Sequence, residues 1–359
     1  MPFLYRSLLF AAFLSVTSPA LATNVCDSQN FSNCLDGVGP AVTNPDTLRI
    51  TSSHITNQTN QHADEDNGDT TVFFGSSLLS GIAAGDGFNN WGLWGSFSYS
   101  SFSADIPIAS LVQPIASYDA DQNNFFIGAD TLIKDRIVLG LTIGYENTDI
   151  DTAYNGGNSD TDGYTIAPYA AYLINDVLSV DVVGGYTSLN TDTDRIDTQT
   201  GGTIIGEFDA DRWFVATNIN ANISRGQWLF GGRIGYLYTE EDQDAYIETG
   251  GPDFRSVDDR HIDLSQASFS LDAAYMINQF EPYTRIVYVN DFGRDNGTDA
   301  GGLPGSVGAT QPDDDDEFQF GLGFRYFGEI ISATFEWSHV LDRDTFDGDT
   351  VMFTLRADL

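Results

Sequence analysis

The sequence has little positive charge. Its 359 residues carry 52 acidic side chains against 15 basic ones, giving a formal net charge of −37, and Lys134 is the only lysine. Proteins that bind nucleic acid need a basic surface, so that class is excluded. A disordered acidic chain is also excluded, because 13% of the residues are aromatic and 41% are hydrophobic.

Long hydrophobic runs are missing after the first residues, so no transmembrane helix is expected in the mature chain. Residues 1–22 are predicted to be a cleaved secretory signal peptide. Arg6 supplies the early positive charge, residues 8–16 form a short apolar run, and Ala20 and Ala22 form a small-residue cleavage site. The protein is therefore expected to be exported.

Cysteine and histidine are scarce. Cys26 and Cys34 are the two cysteines, both close after the predicted cleavage site, and outside the cytoplasm we expect them to form one small disulfide loop. Of the four histidines, His261 lies among acidic residues, but no Gly-x-Ser-x-Gly motif or serine–histidine arrangement is readable. We therefore predict no enzymatic activity, no catalytic residue, no cofactor and no specific metal ligand.

Alternation of apolar and polar residues is the main feature that is present. In 318–326, Phe318, Phe320, Leu322 and Phe324 share one face and polar or small residues share the other. A period of two with one apolar face predicts a half-buried strand. Twelve strands are predicted in this way, at 91–103, 123–133, 136–147, 163–173, 177–189, 212–223, 227–239, 262–277, 280–290, 318–326, 330–338 and 349–359.

The connections between these strands alternate in length. Five are tight turns, near 134–135, 175–176, 225–226, 278–279 and 328–329, and six are long, near 104–122, 148–162, 190–211, 240–261, 291–316 and 340–348. Short periplasmic turns and long extracellular loops are typical of outer-membrane barrels. The predicted fold is all-β, a twelve-stranded antiparallel transmembrane β-barrel over residues 91–359 in the outer membrane of a Gram-negative bacterium.

Most of the acidic residues fall in the six long connections. They either solvate mobile loops or bind divalent cations that bridge the loops to lipopolysaccharide. Asp342-x-Asp344 and Asp119-x-Asp121 lack the glycine at the sixth position that calcium loops use. Outer-membrane lipid and lipopolysaccharide are the expected partners of the barrel surface.

Charged residues also occur on the polar faces of the predicted strands. Placing these charged side chains in the hydrocarbon of the bilayer would cost much free energy. In a water-filled lumen, arginine can instead form bidentate ion pairs with carboxylates. We therefore predict that these charges face the lumen: Asp130, Asp181, Arg212, Arg233, Asp272, Arg285, Arg325, Glu336 and Arg356.

Residues 23–90 carry little strand pattern and are interpreted as a short passenger or linker segment. Asn44-Pro45-Asp46 is a good helix start, and a helix from there to about His62 would be polar on all sides. Such a helix would suit a polar lumen, and disorder is the alternative. Residues 76–84 form a second helix candidate nearer the first strand.

Several stretches in order along the chain resemble the C-terminal translocator domain of autotransporters. They are Trp91–Phe97, Phe126–Asp130, Leu139–Tyr145, Asp162–Tyr164 followed by Tyr169–Tyr172, Gly185–Tyr186 with Arg195 beyond, and Phe280-Glu-Pro282-Tyr283. The resemblance implies a twelve-stranded barrel with a helix in its lumen, assembly by the outer-membrane barrel insertion machinery, and export of a passenger.

The chain departs from that family pattern in two ways. Residues 23–90 are too few for the family's usual long β-helical passenger, and Leu359 stands where the family usually ends in Phe or Trp. The predicted function is a non-enzymatic barrel that exports or displays a short N-terminal segment. The alternatives are a surface-binding protein or adhesin that uses its acidic loops, and a small plugged porin.

Overall fold

The structure, a computed structural model, describes residues 91–107, 115–134, 136–152, 156–175, 177–197, 199–295, 315–328, 330–341, 343 and 346–358. The predicted signal peptide, Cys26, Cys34 and both helix candidates lie outside these residues. No helix in the described part of the chain is long and apolar enough to cross a membrane.

Twelve long strands build one closed antiparallel barrel. Two further strands, β8 (Tyr246–Ile247) and β9 (Ser256–Val257), form a small two-stranded ribbon between β7 and β10. The barrel strands are β1 (Trp91–Pro107), β2 (Ile115–Ile133), β3 (Ile137–Thr152), β4 (Gly157–Leu173), β5 (Leu178–Ile196), β6 (Thr203–Arg225), β7 (Trp228–Gln243), β10 (Arg260–Tyr275), β11 (Phe280–Asp295), β12 (Asp316–Phe327), β13 (Ile331–Leu341) and β14 (Phe346–Asp358).

Each barrel strand pairs with its neighbour along the chain, and β14 pairs with β1 to close the wall. At this seam Gly92 lies opposite Asp358 and Trp94 lies opposite Arg356. The predicted twelve-stranded antiparallel barrel is therefore confirmed. Closure leaves no unpaired strand edge, which is the requirement for a sheet that crosses a bilayer.

Five connections at one end of the barrel are very short, and we call this end the tight-turn end. Their backbone enters the left-handed region at Lys134 (φ 52°), Gly226 (φ 65°) and Asn278 (φ 57°). Asparagine and glycine accept this conformation readily, and reversing the chain within so few residues requires it. Trp91 and Asp358, the outer ends of the seam strands, lie at the same end.

The strands are longer than the sequence pattern predicts, and the extra length lies at the opposite end, which we call the loop end. β6 has 23 residues and starts at Thr203, whereas the alternation of apolar residues begins only near residue 212. Several predicted loops are therefore largely strand. The prediction was wrong here because the outer face turns acidic at the loop end, while apolar side chains such as Phe102, Tyr118 and Phe208 are buried on the inner face. The apolar outer face that marks each strand is therefore lost while strand pairing continues.

The face assignment of β11 was ambiguous in the sequence, and the structure resolves it. Tyr283 and Val289 are buried on the inner face, whereas Ile286 is 53% exposed on the outer face. A register shift between Ser265 and Gln266 in the pairing of β10 with β11 accompanies the irregular alternation nearby. A bulge of this kind re-aims the side chains that follow it.

Candidate functional site

The outer face of the barrel wall is apolar where the outer face of a water-soluble barrel would be polar. On the outer face of the tight-turn half, large apolar side chains are exposed, and we call them the apolar belt. The inner face buries serine, threonine, asparagine and charged side chains together with an apolar cluster that includes Trp94, Phe126 and Phe214. The apolar belt comprises Leu93, Phe97, Phe125, Ile127, Leu141, Ile143, Ile166, Val182, Val215, Ile219, Ile234, Leu271, Ile286, Leu322, Phe324, Phe353 and Leu355.

The nine charges that the sequence places in the lumen occupy strand positions that alternate with the apolar belt. Six of them are buried, namely Asp130, Asp181, Arg212, Arg325, Glu336 and Arg356. The other three, Arg233, Asp272 and Arg285, are half-buried. The structure groups them into clusters, each with members on several strands.

The first cluster crosses the seam of the barrel. Nη2 of Arg356 on β14 donates to Oδ1 of Asp130 on β2 at 2.8 Å, and Nη1 donates to Oδ2 at 3.0 Å. The Tyr169 hydroxyl donates to the same carboxylate at 2.7 Å and accepts from Nε1 of Trp94 at 2.8 Å. The cluster thus joins four strands with a bidentate ion pair at its centre.

Gly92 makes this ion pair geometrically feasible. It lies on β1 between the two charged residues, directly opposite Asp130. A Cβ at Gly92 would lie 1.8 Å from Nη2 of Arg356 and 2.7 Å from Oδ1 of Asp130. Any side chain at this position would therefore displace the ion pair that spans β1.

The second cluster lies on β11, β12 and β13. Arg325 donates to its cross-strand partner Glu281, and its guanidinium lies 4.1 Å from the centre of the Tyr283 ring. The Tyr283 hydroxyl donates to Glu336 at 2.5 Å, and Nη1 of Arg285 lies 3.0 Å from the same carboxylate. Nε of Arg285 also faces Asp272 at 3.9 Å.

A third group centres on Asp181. Its two carboxylate oxygens accept from the side-chain amides of Asn218 at 2.7 Å and Asn220 at 2.8 Å. Nε of Arg233 donates to the Asn220 side-chain oxygen at 3.0 Å, which links β5, β6 and β7. The side-chain amides of two asparagines therefore satisfy the hydrogen-bonding capacity of a buried carboxylate.

The sequence analysis missed several inward acids, which lie at the ends of the predicted strands or just beyond them. Arg212 on β6 donates to Glu146 on β3 at 2.7 Å and to Glu241 on β7 at 3.0 Å. Arg343 lies 2.7 Å from Glu317. Continuing the strict alternation past the last apolar residue of each strand would have identified these positions as inward-facing.

Inside the wall, a cavity of about 160 Å³ is bordered by residues from eight strands. Arg233, Arg285, Glu336, Asn218 and Gln266 contribute to its lining. Of the nine predicted charges, Arg233, Arg285 and Glu336 therefore border this cavity.

The outer face at the loop end carries acidic side chains where the tight-turn half carries apolar ones, and we call this band the acidic collar. Tyrosine hydroxyls at the border donate to it, as from Tyr99 to Asp121 at 2.6 Å and from Tyr288 to Asp316 at 2.7 Å. The exposed members of the collar include Asp119, Asp121, Asp149, Asp151, Asp160, Asp162, Asp192, Asp209, Asp211, Asp242, Asp316, Asp347 and Asp349.

Two histidines contact the collar. Nδ1 of His261 lies 2.6 Å from Asp242, and this hydrogen bond raises the pKa of the imidazole. His339 on β13 forms a group with Asp347 and Asp349 whose ligand atoms lie within 4.8 Å of one another. In the described part of the chain, this is the one group of three or more His, Cys, Asp or Glu residues that converge closely enough to hold a metal ion.

A family model agrees with this architecture. The model described as the autotransporter β-domain matches residues 112–327, which is more than half of the chain. No curated protein matches the chain in sequence.

Solved structures give the same result at the level of the fold. The translocator domain of the autotransporter NalP from Neisseria meningitidis has a TM-score of 0.66 at 12% identity, covering 88% of this chain and 98% of that one. The transport unit of AIDA-I from Escherichia coli has a TM-score of 0.55 at 11% identity, covering 86% and 98%. The β-domain of BrkA from Bordetella has a TM-score of 0.54 at 14% identity, covering 74% and 99%.

Proposed function

This chain belongs to the autotransporter β-domain family, and from that premise we propose that its barrel exports the segment before Trp91 and displays it at the cell surface, without enzymatic activity. The family fold implies the outer membrane of a Gram-negative bacterium. The nine inward charges, in this proposal, line the lumen through which the segment passes.

The observation that carries the proposal is the position of Trp91. β1 begins at the tight-turn end, beside the last strand, in a wall whose outer face is apolar and whose inner face carries the charged clusters described above. Residues 23–90 are rich in polar side chains and poor in strand pattern. A polar segment joined to Trp91 is far better solvated inside the barrel than against lipid, so the lumen is its route to the loop end.

The orientation follows from the same argument. We place the tight-turn end in the periplasm and the loop end outside the cell, with lipid and lipopolysaccharide against the apolar belt. Residues 1–22 act as the cleaved signal peptide, and the barrel insertion machinery assembles the strands. Of the described residues, His339, Asp347 and Asp349 are the best-placed candidates for a divalent cation at this surface.

Three epitope tags, each inserted in a separate full-length variant, test export and orientation together. One tag is inserted between residues 60 and 70, one at Asn175 in a tight turn, and one at Gly250 in the connection at the loop end. Antibody is applied to intact cells and to permeabilised cells. We expect the tags at 60–70 and Gly250 to be detected on intact cells and the tag at Asn175 only after permeabilisation.

The pattern of failure is informative. Detection of Gly250 without 60–70 would leave the barrel orientation intact and contradict display of the segment. Detection of Asn175 on intact cells would contradict the orientation itself. Each tagged barrel must migrate faster unboiled than boiled in detergent gels, which shows that the variant has folded.

A further inference from the structure

The outer face at the loop end contains an apolar patch away from the apolar belt. Ile205 on β6 is 53% exposed and Ile247 on β8 is 64% exposed. Ile196, 50% exposed, lies diagonally across from Ile205, because Ile205 pairs with Asp194 and Ile196 pairs with Thr203. Large apolar side chains exposed to water in a group often mark a binding surface.

Ile205 and Ile247 line a cleft of about 550 Å³. Its base is the outer face of β4, β5 and β6, where Asp160 pairs with Asp192 and Asp192 pairs with Glu207. The ribbon strand β8 forms one side. This volume falls within the range of about 300–1,000 Å³ that ligand pockets typically have.

The ribbon side of the cleft is held firmly. Thr249 and Ile205 exchange two backbone hydrogen bonds of 2.8 Å, so the chain after β8 continues the wall beside β6. Behind it, Arg195 donates to both carboxylate oxygens of Glu248, at 2.9 and 2.7 Å, and to the backbone oxygen of Asp253 at 2.6 Å. The cleft therefore has its shape before any ligand arrives, which lowers the cost of binding.

Charge in the cleft has one sign. Its lining includes Asp160, Asp192, Asp194 and Glu207 and contains no basic residue among those the structure describes. Burial, together with the neighbouring carboxylates Asp162, Asp149 and Asp192, raises the pKa of Asp160. Four carboxylates beside two exposed isoleucines favour a ligand that has both positive charge and apolar groups.

A single metal ion fits this arrangement poorly. The cleft carboxylates are not among the described groups whose ligand atoms converge within 4.8 Å. The four carboxylates are spread over three strands, so they do not converge on one point. This arrangement suits an extended ligand that carries several separate positive charges. Neighbouring strands lie about 4.8 Å apart.

The protein's own segments are poor occupants. Residues 23–90 contain Arg49 as their one basic residue, and a second copy of the chain brings 52 acids against 15 bases. Repulsion between like charges excludes both.

We propose that this cleft binds a cationic amphipathic peptide segment of another molecule, with its basic side chains on Asp160, Asp192, Asp194 and Glu207 and its apolar side chains on Ile205 and Ile247. This binding function goes beyond export of the N-terminal segment. It requires the cleft to be accessible but does not depend on passage of that segment through the lumen.

The test uses the full-length protein in nanodiscs of zwitterionic lipid, with empty nanodiscs as background. The probe is a fluorescent ten-residue peptide of alternating lysine and leucine, and binding is followed by fluorescence anisotropy. A peptide of alternating lysine and serine tests charge alone, and Mg²⁺ measured by calorimetry tests the metal alone. We expect saturable binding of the lysine–leucine peptide, weaker binding of the lysine–serine peptide, and no Mg²⁺ site that Asp192→Asn removes.

Two sets of variants locate the binding. Asp192→Asn combined with Glu207→Gln should weaken binding about fivefold, and Ile247→Ser about tenfold. The matched control, Asp119→Asn with Asp121→Asn, removes the same charge from the collar on β2 and should change binding less than about twofold. All these side chains except that of Ile247 are exposed carboxylates. Folding of each variant is verified by its faster migration unboiled than boiled in detergent gels.

Equal weakening by the two acidic pairs would mean that only the overall charge attracts the peptide, and would overturn the proposal. So would equal affinity of the lysine–serine and lysine–leucine peptides, or an Mg²⁺ site in the cleft. Because the experiment uses purified protein, failure of the N-terminal segment to reach the surface of cells would not affect its outcome.

Discussion

The tight-turn half and the loop half of the barrel are made of the same strands but differ in where their charged side chains lie. The outer face is apolar in the first half and acidic in the second. In the tight-turn half the outer face is the apolar belt and charges such as Asp130 and Arg356 lie inside, paired with each other. In the loop half the outer face is the acidic collar, where Asn158 donates to Asp149 at 2.6 Å and Asn190 donates to Asp209 at 3.0 Å. The backbone is continuous across the border, so the surrounding medium decides which residues the outer face carries.

The ion pair at the seam should give the largest effect. Arg356→Met leaves the buried Asp130 carboxylate without its charged partner, which should lower the free energy of unfolding by about 3–5 kcal/mol. The measurement is reversible urea unfolding in lipid vesicles. Arg356→Met combined with Asp130→Asn should recover part of the loss, and a double variant no better than the single one would contradict the pairing.

A charge introduced into the apolar belt should give the second largest loss of stability. Leu322→Arg should cost about 2–4 kcal/mol near the bilayer midplane, because the guanidinium would meet hydrocarbon. Neighbouring Gly323 faces the interior of the barrel, but Gly323→Ser is unsuitable as the mild control. A Cβ at Gly323 would lie 2.4 Å from the Tyr283 ring and 2.6 Å from the Phe335 carbonyl oxygen.

Gly321 is the better control, because a Cβ there would meet no atom closer than 3.6 Å and would face the polar interior. Gly321→Ser should therefore cost much less than Leu322→Arg at nearly the same depth. Equal costs in vesicle unfolding would show that the two faces of β12 do not differ in environment.

An arginine introduced on the outer face of the loop half should stabilise the protein, whereas Leu322→Arg destabilises it. Asp119 on β2 lies directly opposite Asp151 on β3, and both face outward. Asp119→Arg replaces a like-charge pair by an opposite-charge pair and should raise the free energy of unfolding by about 0.2–1 kcal/mol. Destabilisation comparable to that of Leu322→Arg would mean that the acidic collar also faces lipid.

The smallest effect concerns pH. Burial and neighbouring carboxylates raise the pKa of Asp160, and burial and Asp151 raise that of Asp194. Each group therefore binds its proton more readily in the folded protein than in the unfolded one. Stability should rise slightly as pH falls through these raised pKa values towards the ordinary value of aspartate.

In an Asp160→Asn, Asp194→Asn variant this rise should shrink. Urea midpoints measured at closely spaced pH values give the comparison. An unchanged slope in the variant would assign the pH dependence to other residues of the acidic collar.

The sequence predicts the tight-turn half well and the loop half poorly, for a physical reason. Lipid on one side and water on the other force an alternation that is visible in Leu139, Leu141, Ile143 and their polar neighbours. Past Tyr145 the outer residues become Asn147, Asp149 and Asp151, so the pattern fades although β3 continues to Thr152. Glu241, a charge partner of Arg212, was missed for the same reason.

The absence of a side chain at Gly92 has a consequence for how the barrel verifies its own assembly. Asp130 and Arg356 are 226 residues apart in the chain and meet only across β1. If β14 docked one residue out of register, its side chains would exchange faces and Arg356 would point into lipid. A slip of two residues would carry the guanidinium about 6.6 Å along the strand, away from its carboxylate. The ion pair therefore forms only when the last strand has arrived and has been placed in the correct register, so it acts as a proofreading contact for closure.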